Sequence, residues 1–116
     1  MNPAWRLSLL ELVDPFGWHR LSGQDLKDIR SRLVSFESMT WSEILIRDKK
    51  HNHFVRRDQI CADAERRLKD IKQDDVDEIV SLKVMARERV WGIMDGGVLK
   101  ILWWDPQHRI CPSKPR

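Results

Sequence analysis

Apolar residues first fall at alternate positions. Trp5, Leu7 and Leu9 are separated by Arg6 and Ser8. A period of two puts alternate side chains on one face, so Trp5 to Val13 is predicted to be a strand. Asp14-Pro15-Phe16-Gly17 ends it as a turn. The period then lengthens. Leu26, Ile29, Leu33 and Phe36 recur at helical spacing, and Ser22 with Asp25 has the form of a capping box. These predict a helix from Ser22 to Phe36. Thr40 and Glu43 repeat the box ahead of Ile44 and Leu45, which predicts a short second helix. Arg47 to Arg57 turns polar and basic, and its first half reads as an exposed loop. Asp58 is placed to cap a third helix, Gln59 to Lys72, with Ala64, Leu68 and Ile71 on its buried stripe.

Beyond the acidic segment Asp74-Asp75-Val76-Asp77-Glu78 the period returns to two. Ile79 to Val84 and Arg89 to Ile93 read as strands. Asp95-Gly96-Gly97 is a hairpin turn, because glycine accepts positive φ without a steric penalty. Val98 to Trp104 returns as a strand so continuously apolar that it is expected at the centre of a sheet. Asp105-Pro106 stops it, and Arg109 to Cys111 is expected as a short edge strand. Short turns make antiparallel neighbours. The expected fold class is therefore α+β in two layers. An N-terminal strand and helices would pack on one face of an antiparallel sheet formed largely by the C-terminal half. The expected organisation is one domain over residues 1–111. Within it, 14–56 is a helical insertion or extension and 57–111 holds the core helix and sheet. Residues 112–116 are expected to be a flexible tail.

The chain has 116 residues, 41% hydrophobic and 34% charged. This is an ordinary globular composition, large enough to bury a core without disulfides or a structural metal. No apolar run approaches the roughly 20 residues that span a membrane. The N-terminus lacks a basic stretch leading into an apolar one, so no secretory leader is expected and the cytoplasm is the expected location. Cys61 and Cys111 stand far apart with no CxxC, and read as small hydrophobes in a reducing compartment. The net charge of +3 does not by itself call for a nucleic-acid partner. Its distribution adds more. Basic residues dominate Arg47 to Arg67 and the chain from Lys83 onward, with the acidic segment between, a segregation able to make a basic face.

Candidate chemistry is sparse. His51 and His53 could chelate a metal from one strand face, but a lone HxH without a third ligand is a weak signal. Cys61 falls on an apolar helical stripe, which disfavours a cysteine nucleophile. No glycine loop of the phosphate-cradling type is present. The six tryptophans suit a core that has no tyrosine to fill it; exposed ones beside basic residues could stack on bases. The C-terminal sheet is more suggestive. Lys83, Arg87 and Arg89 lie on or beside its first strands, and His108 and Arg109 follow its last. In an antiparallel meander these meet at one end. An arginine beside a histidine offers phosphate neutralisation and proton transfer, which 2′-OH attack on an RNA phosphodiester needs. The same residues also suit a plain polar rim.

The stretch Ala86-Arg87-Glu88-Arg89-Val90-Trp91-Gly92-Ile93, the Asp95-Gly96-Gly97 hairpin, Val98 to Trp104 and Asp105-Pro106-Gln107-His108 resembles the RelE/ParE toxin superfamily. The resemblance is strongest to its RelE- and YoeB-type, ribosome-dependent mRNA interferases. It covers residues 57–110, while 14–56 looks like added helical material. It implies a bacterial toxin-antitoxin protein, an endoribonuclease that needs no metal or other cofactor. Arg89 would match the strand arginine on the phosphate and His108 the C-terminal histidine of proton transfer. Lys83, Arg87, Arg109 and Trp104 would be RNA-binding. The implied partners are RNA, including RNA on the ribosome, and an antitoxin with an acidic segment; no membrane is implied. The terminal tyrosine of YoeB-type members is absent, and no glutamate falls on the family's general-base position. ParE-type members act on gyrase instead. Two other readings stand beside this one: a non-catalytic protein- or nucleic-acid-binding module of the same fold, and a metal-dependent enzyme using His51 and His53.

Overall fold

The computed structural model describes residues 1–112. Its elements are β1 (Ala4–Arg6), α1 (Gly23–Glu37), a π-helical turn (Glu43–Arg47), β2 (His53–Arg56), α2 (Ala62–Asp70), β3 (Glu78–Lys83), β4 (Arg89–Asp95) and β5 (Val98–Asp105). The class is α+β, with helices packed on an open five-stranded sheet of order β1-β5-β4-β3-β2.

β3, β4 and β5 form the antiparallel meander that their short turns require. Gly96 and Gly97 both take positive φ in the hairpin between β4 and β5. β5 lies inside the sheet, as its apolar run implied. The sheet is mixed, however, because β1 runs parallel to β5. Only a long connection permits a parallel neighbour, and the whole helical region separates these two strands.

Helices cover both faces of the sheet, so the two-layer expectation is corrected. The reason lies in the strands. Ile79 and Val80 are consecutive and both fully buried, as are Trp103 and Trp104 within 2%. Consecutive strand residues point to opposite faces, and each face needs an apolar cover. Ala64 and Leu68 of α2 meet Ile79, Trp91 and Trp103 on one face. Ile29 and Phe36 of α1, with Ile44, meet Val80, Leu82 and Trp104 on the other. A bulge opposite Trp91 and Gly92 lets Leu102 and Trp103 face the same side.

The local signals held where partners were close in sequence. Ser22 Oγ accepts from the Asp25 N–H and the Asp25 carboxylate accepts from the Ser22 N–H, each at 3.0 Å. Thr40 and Glu43 close the second box in the same way. Elsewhere tertiary contacts prevailed. The first strand stops at Arg6, because Glu11 is drawn under the sheet. Its carboxylate accepts from Arg67 at 2.8 and 2.7 Å and from the Trp103 indole at 3.1 Å. α2 begins at Ala62, not Gln59. Asp58 pairs with Arg56 instead of capping, and Cys61 occupies the N-cap with its N–H on the Ile110 carbonyl at 2.8 Å. Cys61 is therefore not mid-helix. Arg109 to Cys111 forms no strand, because the N–H groups of Arg109 and Ile110 are taken by the Asp105 carboxylate. β2 emerges within the basic segment as an edge strand. Of the tail expected at 112–116, residues 113–116 lie outside the described residues.

Candidate functional site

The meander sets Lys83 opposite Arg89 and Arg89 opposite Asp105. One row inward, His53 of β2 lies opposite Ser81, Ser81 opposite Trp91, and Trp91 opposite Trp103. Directly opposed residues share a face, and Trp91 and Trp103 fix it as the face that α2 covers. Lys83, Arg89 and Asp105 thus form the row at the end of that face, with His53 and Ser81 beside it.

Asp105 builds the turn that carries His108. It is fully buried and accepts hydrogen bonds from the Trp91 indole at 3.2 Å, the Arg109 N–H at 2.8 Å and the Ile110 N–H at 3.0 Å. A buried carboxylate needs such donors, and here they bend the chain back after β5. His108 sits in the bend at φ 55°, a left-handed conformation that histidine tolerates better than most residues. Its own N–H donates to the Asp105 carbonyl at 3.4 Å, which keeps it at the end of β5. Burial holds the half-buried imidazole below its ordinary pKa, and the Arg89 charge adds to this, with Asp105 opposing and His53 assisting. His108 is therefore largely neutral at pH 7 and has a lone pair to offer.

Arg89 is half-buried, and burial lowers its pKa against the opposing pull of Asp105. Its guanidinium remains charged at any physiological pH. Nη1 donates to the carbonyls of Ala86 at 3.0 Å, Glu88 at 3.2 Å and Met85 at 3.4 Å, so the β3–β4 turn holds the side chain in place. Lys83 is half-buried; its N–H donates to Asn52 Oδ1 at 2.9 Å and its carbonyl accepts from Arg32 Nε at 3.1 Å. Arg87 and Arg109 are exposed on the flanking turns. Arg109 also lines a cleft of about 380 Å³ with Asp14, Phe16, Arg20 and Asp105.

Trp104 does not belong to this surface. It is 2% exposed and packs on the opposite face against Trp18 at 6.4 Å between ring centroids. Its place in the expected RNA-binding set is withdrawn, since a ring cannot stack on a base from inside the core. Trp91 and Trp103 are likewise buried.

His51 and His53 turn to different partners. His51 Nδ1 lies 2.8 Å from Asp48 Oδ1, while His53 Nδ1 lies 3.2 Å from the Lys49 carbonyl. Among the described residues no group of three or more His, Cys, Asp or Glu is placed to hold a metal ion. What the sequence reading missed is that His53 belongs to the Arg89–His108 end of the sheet. The available signal was Phe54 and Val55, two apolar residues at the end of a polar run, which mark a strand. Ser81, opposite His53, is 1% exposed, and among the described residues its hydroxyl has no hydrogen-bond partner.

Compared with protein families, curated proteins and solved structures, the chain matches none of them. Among the described residues no helix is long and apolar enough to cross a membrane.

Proposed function

We propose that this protein is a cytoplasmic, metal-independent endoribonuclease of the toxin-antitoxin kind, with Arg89 on the scissile phosphate and His108 in proton transfer. The observation that carries this reading is that Asp105, paired with Arg89 across the sheet, holds the turn that bears His108, whose imidazole feels the Arg89 charge. A neutral imidazole beside a guanidinium held by three carbonyls suits attack of a 2′-OH on its own phosphodiester. The imidazole takes the hydroxyl proton, and the arginine meets the charge that grows on the phosphate. Lys83, Arg87 and Arg109 would guide the RNA backbone to this end. An antitoxin with an acidic segment would cover the same basic end.

The test is growth after induced expression of the wild type and of Arg89→Ala/His108→Ala, with transcripts mapped for new 5′ ends. The wild type is expected to arrest growth and cut transcripts. The double variant, soluble at equal level, is expected to do neither. If the wild type affects neither growth nor transcripts in a host without a cognate antitoxin, the nuclease reading falls. The same end of the sheet then becomes a binding surface, for which the bonded state of Arg89 is already suited.

A further inference from the structure

Cleavage of an RNA strand by its own 2′-OH needs two proton transfers, and His108 supplies one. The O2′–P bond forms as the hydroxyl loses a proton, and the P–O5′ bond breaks as O5′ gains one. The products are a 2′,3′-cyclic phosphate and a 5′-hydroxyl. We propose that His53 is the second proton-transfer group of this site, delivering the proton to the O5′ leaving group; the proposal rests on the nuclease reading above.

Three observations place it there. The register sets His53 opposite Ser81, beside the Lys83–Arg89–Asp105 row and on the same face. His108 comes within electrostatic reach of both His53 and Arg89. The His53 ring is also oriented for the task. Its Nδ1 lies 3.2 Å from the Lys49 carbonyl, which can only accept, so Nδ1 carries a proton and Nε2 is the nitrogen that exchanges one. A carbonyl on Nδ1 fixes the tautomer in the way that orients catalytic histidines. The two imidazoles thus divide the work: His108 accepts from O2′ and His53 donates to O5′.

The test uses the full chain and an oligoribonucleotide spanning a site that the wild type cuts. A second substrate carries sulfur in place of the bridging O5′ at that site. A thiolate leaves without protonation, so it no longer needs a general acid. His53→Gln is expected to slow cleavage of the ordinary RNA by roughly 10²- to 10⁴-fold, the usual contribution of acid–base catalysis. On the sulfur substrate it is expected to approach the wild-type rate. His108→Gln is expected to be slow on both. A misfolded variant would be slow on both as well, so recovery of His53→Gln on sulfur is the signature of an acid. If the wild type cuts RNA and His53→Gln cuts the ordinary substrate equally fast, or stays slow on the sulfur one, the assignment of His53 is wrong and the nuclease reading survives. If the wild type cuts no RNA, both fall together.

Discussion

Among single residues, His108 links electrostatics to stability most directly. Its folded pKa is depressed, chiefly by burial and then by Arg89, while the unfolded chain titrates near 6.5. Between these two values the unfolded state holds more protons than the folded one. Stability is therefore full above about 6.5 and is lost as pH falls below it. Asparagine fits the left-handed backbone at position 108 and does not titrate. His108→Asn is thus expected to shrink the drop in melting temperature between pH 7.5 and pH 5.5; an equal drop in both proteins would show that other groups govern the acid limb. Glu88 works the other way. Its carboxyl is pushed up by burial and by the negative charges of Asp25 and Asp28, so its ionised form costs stability at neutral pH. The Glu11 carboxylate, drawn under the sheet, accepts from Arg67 and from the Trp103 indole.

The central strands are built to tight tolerance, and Gly92 shows how tight. It sits at the bulge where β4 meets β5. A Cβ there would come within 2.7 Å of the Lys100 carbonyl oxygen and 2.8 Å of Leu99 Cγ. The carbonyl is part of the ladder and cannot turn aside. Gly92→Ala is expected to destabilise by about 1–3 kcal/mol, the usual cost of overpacking a core. A lower urea midpoint with an unchanged slope would support this, and an unmoved midpoint would refute it. This contact was invisible in the sequence, where Gly92 is only a gap in an apolar run. What was legible depended on local information. The two capping boxes, α1, the β4–β5 hairpin and the central place of β5 follow from residues a few positions apart. β1 and β2 are short edge strands whose pairing depends on distant partners, and Asp58 looked like a cap until Arg56 claimed it. The same division runs through the site. Arg89 and His108 flank one hairpin and could be joined on paper. His53 reaches them only across β3, and Trp104 left the set because the far face of the sheet is also covered.

Along β3 the charge changes sign from one end to the other, with Arg56 facing Glu78 at the acidic end. β3 begins at Glu78, beside the acidic segment, and ends at Lys83. At about 3.4 Å per residue these ends lie roughly 17 Å apart. That exceeds the Debye length of about 8 Å at physiological salt, so the acidic end barely weakens the field of the basic one. A chain of net charge +3 can thus present a local field stronger than its total suggests. Arg87 and Arg109 are the exposed members of that end and lie outside the proposed chemistry. Anisotropy of a labelled single-stranded RNA, titrated at several salt concentrations, measures their part. Each phosphate contact contributes about 0.7 to the slope of log affinity against log salt on single strands. Arg87→Ala/Arg109→Ala is expected to reduce that slope by up to about 1.4 and to weaken binding alike for unrelated sequences, since phosphate contacts carry no base information. Asp74→Asn/Asp75→Asn, at the far end, is expected to leave the slope where it was. If the acidic pair moves the slope and the arginine pair does not, the RNA lies elsewhere on the molecule, and the basic end of the sheet is not its path to His108.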